Sequence, residues 1–403
     1  MYFATTKIFD FFFDAGVVLF WCFPGIVVRH YLVNQFKYTG NLVFAVLYAQ
    51  VIGCTLLGLI NSVKKKFQRL LLLSSIIYTG LTSGLCGSIT TFSTWQFDVF
   101  SIIIGLTPYQ LSIKHKIYSV LSQLIFTTAS SCAAYDFGIH LGELMFDNYT
   151  DEPSPLIDQN NNIEQNNLSS DNLAAQSTGQ PNVVLKGQTC LSSPASASLV
   201  NRANSNNRNY KANGVSFGQS LIDMSQQDTT AQTPNSRNLS IYFERGFSIL
   251  GWIACVFFAT FTGIKYQSIT NNSNWNLLLA ITFGPLGGFF RWTLSKINKP
   301  EYFIPYGTLS ANLIAVVILT TSNILGSSSS TFNRCLFLKS GLGFGLSGCL
   351  STVSTFTFEI LQLRRRNAYS YYFISILVSQ VLSLVVFKII GKPVDFLINS
   401  QDC

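Results

Sequence analysis

Residues 84–98 read GLCGSITTFSTWQFD, and residues 345–359 read GLSGCLSTVSTFTFE. Both stretches are rich in Gly, Ser and Thr inside otherwise apolar segments, which is poor material for a continuous helix facing lipid. Ser and Thr hydroxyls can bond the backbone groups that a break sets free, so a break is tolerated where protein surrounds it. We therefore predict one broken helix in each half of the chain. The identical positions are Gly84, Leu85, Gly87, Thr91, Ser93, Thr94 and Phe97 in the first stretch and Gly345, Leu346, Gly348, Thr352, Ser354, Thr355 and Phe358 in the second.

The similarity between the two halves extends beyond these stretches. A near-constant separation between matching residues, kept across four apolar segments, indicates that a four-helix unit has been duplicated. The matching pairs and their separations are Arg29 and Arg291 (262), Gln50 and Asn312 (262), Thr91 and Thr352 (261), and Ser122 and Ser379 (257).

The composition is that of an integral membrane protein. Of the 403 residues, 48% are hydrophobic and only 11% are charged, whereas soluble domains carry about 25% charged residues. Nine segments are long and apolar enough to cross the roughly 30 Å of a bilayer core. We therefore predict an all-α polytopic membrane protein. The predicted spans are 15–34, 41–61, 70–97, 117–140, 247–266, 275–296, 305–326, 335–360 and 369–391.

The net charge of +8 lies largely in short basic clusters between spans, which indicates membrane topology and not nucleic-acid binding. The clusters at 64–69, 296–299 and 364–366 follow the second, sixth and eighth spans, so nine spans place them on one side. The excess of Lys and Arg makes that side cytoplasmic, together with the N-terminus, and leaves the C-terminus outside.

The predicted organisation is an N-terminal four-helix repeat at 1–147, an insert at 148–240, a linker transmembrane helix at 241–268 and a C-terminal four-helix repeat at 269–403. The insert is rich in Asn, Ser and Gln, which predicts disorder on the cytoplasmic side; a regulatory tail with phosphorylation sites is the alternative. The linker span makes the count odd and so inverts the second repeat. The alternative is a ninth packing helix without a topological role.

Paired breaks in inverted repeats favour an ion site near the bilayer midplane. The alternative is that the small residues serve close helix packing. The nine cysteines form no CxxC pair and no metal-ligand spacing, so we interpret them as small apolar packing residues.

Three motifs resemble a known family. TTFST at 90–94 with Asp98 resembles the signature of the small bacterial fluoride channels called Fluc or CrcB, and the two-repeat architecture with a linker helix resembles the fluoride exporters of fungi and plants. GPLGGFFRWTL at 284–294 resembles the Gly-rich first helix of that family, and GTLSANLIA at 307–315 its second helix with a pore Asn. The resemblance covers the spans and excludes the insert. It implies passive fluoride export and no enzyme activity.

The resemblance also implies two pores, each using the first Phe of one motif and the second Phe of the other. One pore would use Phe92 with Phe356, and the other would use Trp95 with Val353, which departs from the family pattern twice. We therefore predict one working pore and one vestigial pore. The working pore would be lined by Phe92, Phe356, Asn312, Ser379, Ser383, Ser93, Thr94, Ser354 and Thr355. The vestigial pore would contain Trp95, Val353, Gln50 and Ser122, the last followed by Phe126 where the working pore has Ser383.

Two pairs of charged residues lie near the ends of spans. Arg29 and Arg291 are either interfacial side chains or, as the resemblance implies, part of a positive vestibule that concentrates an anion. Asp98 and Glu359 match the acidic residue of the family, and capping, pairing with Arg or tuning the pore mouth all stay open. The resemblance further implies a structural Na⁺ held by backbone carbonyls. The matching positions are Gly87, Thr90, Gly348 and Ser351.

Three functions remain open from the sequence. The first is a passive fluoride channel in the plasma membrane that works as a monomer. The second is a proton-coupled fluoride antiporter, which needs a titratable group along the pathway. The third is a membrane scaffold without transport, which leaves the recurrence of two polar breaks unexplained.

Overall fold

The computed structural model describes residues 2–36, 44–69, 75–106, 111–146, 234–266, 273–299, 301–329 and 331–390. Every regular element in these ranges is helical, and eight of the described helices are long and apolar enough to cross a membrane. The prediction of an all-α polytopic membrane protein is therefore confirmed. Residues 147–233, most of the predicted insert, lie outside the described ranges.

The first repeat contains four helices, the third of which is broken. The first half of that helix includes a widened π-helical turn, Gly80–Cys86, between two α-helical pieces. The helices are α1 (Tyr2–Gln35), α2 (Val46–Arg69), α3 (Ser75–Thr79, Gly80–Cys86 and Gly87–Ile89), α4 (Phe92–Ile104) and α5 (Ile113–Phe146).

The linker helix and the second repeat follow with the same order of elements. The linker helix begins at Pro234, seven residues before the predicted start of the linker, so the end of the predicted disordered insert is helical. The helices are α6 (Pro234–Lys265), α7 (Ser273–Ser295), α8 (Tyr306–Ser327), α9 (Phe332–Leu336, Phe337–Ser347 and Gly348–Leu350), α10 (Ser354–Gln362) and α11 (Arg365–Ile390).

The repeats share a packing device that brings the first helix of each onto its broken helix. In α1, a Cβ at Gly25 would lie 2.7 Å from the Leu85 carbonyl oxygen, and in α7 a Cβ at Gly287 would overlap the Leu346 carbonyl oxygen. Only glycine allows backbones to approach this closely, as in other membrane helix pairs. Gly25 and Gly287 are 262 residues apart, the separation that the sequence repeat predicts.

The second halves of the broken helices pack across the repeat boundary. α4 of the first repeat packs against α8 and α11 of the second, and α10 of the second repeat packs against α2 and α5 of the first. Each half of the molecule therefore contains helices from both repeats. The side formed by α8, α11 and α4 is called the α8–α11 side below, and its counterpart formed by α2, α5 and α10 is called the α2–α5 side.

Candidate functional site: the crossing of the two broken helices

The two breaks have nearly the same backbone geometry. In the first repeat, helix α3 ends at Ile89, Thr90 is extended with φ −88° and ψ 151°, and α4 begins at Phe92. In the second, α9 ends at Leu350 and Ser351 is extended with φ −91° and ψ 158°. Each break leaves backbone N–H groups at the start of one half-helix and carbonyl groups at the end of the other without helical partners. The surrounding side chains therefore decide whether the breaks are tolerated.

Hydroxyl groups cap the second half-helices across the repeat boundary. Thr90 Oγ1 accepts hydrogen bonds from the N–H groups of Val353 (3.2 Å) and Ser354 (3.1 Å). In the reciprocal contact, Ser351 Oγ accepts from the N–H of Ser93 at 3.1 Å. Ser, Thr, Asn and Asp side chains are the usual caps at helix N-termini. Here the capping residue comes from the other repeat, so the two breaks hold each other at the crossing.

Two amide side chains hold the backbone of the breaks from outside. Gln50 of α2 donates from Nε2 to the Thr91 carbonyl (2.7 Å) and accepts from the Thr91 N–H (3.2 Å). Asn312 of α8 makes the same pair of contacts with Thr352, at 3.3 Å and 2.8 Å. Both amides are buried. The two residues, predicted to line a working and a vestigial pore, thus share one structural role.

The arginines of α1 and α7 are buried and do not form a vestibule at the ends of the spans. Arg291 donates to the carbonyl oxygens of Gly87 (2.8 Å) and Ser351 (3.4 Å) and also to those of Ser83 and Cys349. Arg29 donates from Nη2 to the Phe344 carbonyl (2.7 Å), and its guanidinium lies 4.6 Å from the centre of the Phe344 ring. The prediction of either an interfacial or a vestibule position is therefore wrong, because the carbonyls that the breaks set free draw these side chains inward.

The position expected for sodium coincides with the guanidinium group of Arg291. Two of the four residues that the resemblance implies as sodium ligands, Gly87 and Ser351, already present their carbonyls to that group. Two unit charges about 4 Å apart repel by about 4 kcal/mol at an effective dielectric constant of about 20. With the guanidinium in this place, the residues do not fit a sodium ion as well.

A column of polar side chains runs along the α8–α11 side. Ser379 Oγ lies 3.1 Å from Gln96 Oε1, and Ser383 Oγ lies 3.3 Å from Thr320 Oγ1. Gln96 Nε2 is buried and has no hydrogen-bond partner among the described residues. Residues four apart share one helix face, so α11 presents a continuous hydroxyl-bearing face to the interior. Its buried members are Tyr371, Ser375, Ser379 and Ser383.

Two residues of this face, Ser379 and Ser383, are predicted from the sequence, whereas Tyr371 and Ser375 on α11 and Gln96 and Thr320 opposite are not. The spacing of four residues along α11, counted back from Ser379, is a sequence signal that identifies Ser375 and Tyr371. Ser93, Thr94, Ser354 and Thr355 lie in the first turns of α4 and α10, and the side chains of Ser93 and Ser354 bond the opposite break, to Ser351 and Thr90. Their contacts therefore belong to the crossing.

The aromatic residues of the motifs meet in one buried cluster. The ring centroids of Phe92 and Phe356 lie 5.3 Å apart with an interplanar angle of 63°, an edge-to-face contact. Phe92 also meets Trp95 edge to face at 5.6 Å, and Phe356 meets Tyr371 at 5.0 Å. Val353 belongs to the same cluster, so Phe92–Phe356 and Trp95–Val353 are not spatially separate pairs. Ring edges are electropositive and can face an anion.

On the α2–α5 side, helices α2 and α5 are in direct backbone contact. A Cβ at Gly58 of α2 would overlap the Tyr135 carbonyl oxygen of α5, and a Cβ at Gly138 would overlap the Thr55 carbonyl oxygen. These contacts leave no room for side chains between the two helices at this level.

The predicted equivalence of Ser122 and Ser379 is wrong. Ser122 is exposed on the outer face of α5, whereas Thr127 and Ser131 are buried there. Counted from the helix starts at Ile113 and Arg365, Thr127 and Ser131 take the places of Ser379 and Ser383 (127 − 113 = 379 − 365 = 14; 131 − 113 = 383 − 365 = 18). The first repeat therefore keeps two hydroxyls on the buried face of its fourth helix.

The two acidic residues of the motifs have different environments. Glu359 is buried, and its carboxyl group accepts hydrogen bonds from Thr308 (2.6 Å), Asn298 (3.1 Å) and Tyr371 (2.9 Å). Asp98 is half-buried on α4. Glu359 thus adjoins the polar column through Tyr371.

Comparisons with known proteins support the duplication. A sequence model of the family described as "CrcB-like protein, Camphor Resistance (CrcB)" matches residues 16–135 and again residues 278–391. Fluoride export protein 1 of Candida albicans is 23% identical over 375 residues, which cover 88% of this chain and 74% of that protein. Fluoride export protein 1 of Saccharomyces cerevisiae is 21% identical over 393 residues, covering 90% and 89%.

Bacterial proteins of one repeat length also match. The fluoride-specific ion channel FluC of Nitrosomonas europaea is 35% identical over 117 residues, which cover 28% of this chain and 88% of the bacterial protein. No solved structure gives a significant match.

Proposed function

This chain belongs to the CrcB-like family, whose domain it contains twice, and on that premise we propose that it is a membrane channel through which fluoride leaves the cytoplasm. The relatives that match over most of both chains are named fluoride export proteins, and the single-repeat relatives are named fluoride-specific ion channels. The polar column of the α8–α11 side is the observation that supports this function best.

The column has the chemistry that a fluoride pathway needs. Fluoride is small and strongly hydrated, so a pathway must replace its water shell with hydrogen-bond donors. The hydroxyl groups of Ser375 and Ser379 bond the Tyr371 and Ile376 carbonyls, and that of Ser383 bonds Thr320 Oγ1. Together with Gln96 Nε2, which has no partner among the described residues, they are neutral groups that can donate to an anion. A neutral lining binds an anion weakly enough for it to leave, whereas a buried Arg in the pathway would hold it. Phe356 meets Tyr371 of this face edge to face at 5.0 Å, and Phe92 in turn meets Phe356.

We further propose that the α8–α11 side is the single conducting pathway and that the α2–α5 side is closed. The overlap of glycine-lined backbones at Gly58 and Gly138 supports the closure. The remaining parts of the proposal are an inverted orientation of the two repeats, a monomeric channel, location in the plasma membrane, and a cytoplasmic N-terminus and insert with an external C-terminus. The basic clusters between spans support that orientation.

A proton-coupled antiporter is the second candidate because a titratable group adjoins the column. Glu359 is buried and hydrogen-bonded to Tyr371, and buried carboxyl groups serve as proton relays in transporters. The three hydrogen bonds to its carboxyl group also give Glu359 a structural role that requires no proton transfer. A passive channel is the simpler function for the site.

Flux from liposomes tests the two candidates. The purified chain is reconstituted into vesicles loaded with fluoride, and efflux is followed with a fluoride electrode in the presence of a potassium ionophore. For a channel, efflux follows the electrochemical gradient of fluoride, and an imposed pH gradient does not drive uptake. Glu359→Gln should keep this behaviour. Uptake against a fluoride gradient that is driven by a pH gradient, and lost in Glu359→Gln, would establish the antiporter.

A further inference from the structure

Carbonyl groups from both repeats converge on one point at the crossing. Those of Gly87 and Ser83 come from the first repeat, and those of Cys349 and Ser351 come from the second. Helices α3 and α9 both end here, and the last carbonyls of a helix lack helical partners and carry the negative end of its dipole. A buried cation at this point therefore stabilises the ends of both half-helices at once.

The guanidinium group of Arg291 occupies this point. Its five donors lie in one plane, so a single side chain can bond several carbonyls, and it stays charged even when it is buried. The packing leaves no space for anything between the group and the helix, because a Cβ at Gly87 would lie 2.5 Å from Arg291 Nη2. Glycine at position 87 thus allows the guanidinium to lie directly against the backbone.

We propose that Arg291 is the resident cation of the crossing and that the channel consequently conducts fluoride without a bound sodium ion. The inference rests on the proposed function for its flux measurements. It assigns to a side chain of this chain the role that the resemblance assigns to a metal ion. The bonds that Arg291 makes to both repeats also fasten the first half-helices to each other.

The matching arginine of the first repeat makes different contacts. Arg29 lies against Gly348, where a Cβ would be 2.6 Å from Arg29 Nη1, and it donates to the Phe344 carbonyl. Within the described part of the chain, Arg29 Nε and Nη1 are buried without hydrogen-bond partners, whereas in Arg291 this is true of Nε alone. The two arginines therefore differ in their contacts. Arg291 bonds carbonyls of both broken helices, whereas Arg29 bonds a carbonyl within α9. This difference provides a matched control.

The first experiment uses the unmodified protein. The chain is purified and reconstituted in potassium salts with sodium excluded throughout, and fluoride efflux and the thermal unfolding midpoint in detergent are measured before and after addition of sodium chloride. Potassium chloride at the same concentration controls for ionic strength. We expect neither quantity to change. Efflux that appears only with sodium, or an unfolding midpoint that sodium alone raises, would overturn the proposal.

The second experiment removes the charge. In Arg291→Gln, sodium can enter the vacated point, so we expect efflux without sodium to fall at least about tenfold, which corresponds to about 1.4 kcal/mol. Addition of sodium should then restore part of the efflux and raise the unfolding midpoint, because a ligand that binds only the folded state stabilises it. Arg29→Gln should gain no response to sodium. An Arg291→Gln protein that folds and shows no sodium response would contradict the proposal.

The two experiments also separate this inference from the proposed function. If the unmodified chain carries no fluoride in either salt, the proposed function fails while the thermal measurement still tests the resident cation. If Arg291→Gln does not fold, the first experiment decides the question without it.

Discussion

The α8–α11 and α2–α5 sides are built from equivalent helices but meet in different ways. On the α8–α11 side, helices α8 and α11 face each other through the hydroxyls of Thr320 and Ser383, 3.3 Å apart. The residue that takes the place of Thr320 in the first repeat is Gly58 (58 + 262 = 320), and there the helices touch through backbone at Tyr135. A contact between side chains on one side is thus a contact between backbones on the other.

The difference separates the features that both sides share from the features of one side. The amide clamps of Gln50 and Asn312 and the exchanged hydroxyl caps are present on both sides, so they maintain the crossing itself. The facing hydroxyl pair belongs to the α8–α11 side alone, whereas the Phe92–Phe356 pair joins α4 to α10 and so links the two sides. Duplication allows this asymmetry, because one copy can lose its pathway while both continue to support the shared centre.

The amide clamps provide the largest expected effect. Asn312→Ala and Gln50→Ala each leave a buried backbone N–H and carbonyl unbonded, which should destabilise both variants by a similar amount, about 1–3 kcal/mol. Asn312→Ala also removes the Nδ2 hydrogen-bond donor beside the proposed pathway. An energy of that size added to the transport barrier should slow fluoride efflux by about 10-fold to 100-fold. We expect this loss in Asn312→Ala and efflux close to that of the unmodified protein in Gln50→Ala. Thermal unfolding and efflux per folded molecule are measured on the same samples.

Equal loss of efflux in the two variants would show that the clamps act only through the crossing, and the proposal of a single pathway would lose its support. Loss in Gln50→Ala with normal efflux in Asn312→Ala would reverse the assignment of the two sides.

The aromatic rings provide the next largest effect. Phe356→Leu removes the ring that meets Phe92 and keeps a similar volume, so the stability cost should stay below about 1.5 kcal/mol. Efflux should fall about tenfold, which corresponds to about 1.4 kcal/mol of barrier, because an electropositive ring edge no longer faces the anion. Phe358→Leu is the matched control, since Phe358 contacts Tyr135 on the α2–α5 side.

Efflux is measured in liposomes at equal protein content. A Phe356→Leu protein with unchanged efflux would show that the ring only packs, whereas a large loss in Phe358→Leu would show that the α2–α5 side also conducts.

The helical fold and the two breaks could be predicted from the sequence because hydropathy and the Ser- and Thr-rich stretches are local signals. The duplication was predictable as well, and the family match at 16–135 and 278–391 confirms it. The starting point of the linker helix was predicted seven residues too late. Its first turns contain Asn, Ser and Arg, and a hydropathy pattern does not separate a polar helix from a disordered segment.

The positions of Arg29, Arg291 and Ser122 could not be predicted in the same way. Hydropathy places an arginine near a span end at the interface, because it does not record the unbonded carbonyls of a break elsewhere in the chain. Sequence separation alone matches Ser122 with Ser379, but the buried face of α5 begins at Thr127. A shift of five residues turns a helix by more than one full turn, so the face of a weakly patterned helix depends on what packs against it.

Substitution of Gln96, which lies opposite Ser379, should have a smaller effect on fluoride efflux. Gln96→Leu removes the Nε2 donor and the Oε1 acceptor that receives Ser379 and Gln380, and a neutral hydrogen bond contributes about 0.5–1.5 kcal/mol. Efflux should therefore fall about twofold to tenfold. Its matched control is Thr357→Val at the equivalent position of α10 (357 − 96 = 261), which should leave efflux unchanged. If Gln96→Leu increases efflux, the amide obstructs the pathway and does not line it.

Disrupting the backbone contact between α2 and α5 should have the smallest effect on fluoride efflux and a measurable effect on stability. Gly58→Ala forces α2 away from α5, because the added Cβ overlaps the Tyr135 carbonyl. Overpacking of this kind costs about 1–3 kcal/mol. We expect a lower unfolding midpoint in detergent and the same efflux per folded molecule, since the α8–α11 side is not touched.

The control for this change is Gly246→Ala in α6, where a Cβ meets no atom of the described residues within 4 Å. Alanine at an open helical position should stabilise the chain by about 0.5–1 kcal/mol relative to glycine. A Gly58→Ala protein as stable as Gly246→Ala would contradict the close backbone contact. A different outcome is efflux that is higher in Gly58→Ala than in the unmodified protein and that no longer falls when Asn312→Ala is added. That result would mean that separating α2 from α5 opens a second pathway, which this glycine contact alone keeps closed.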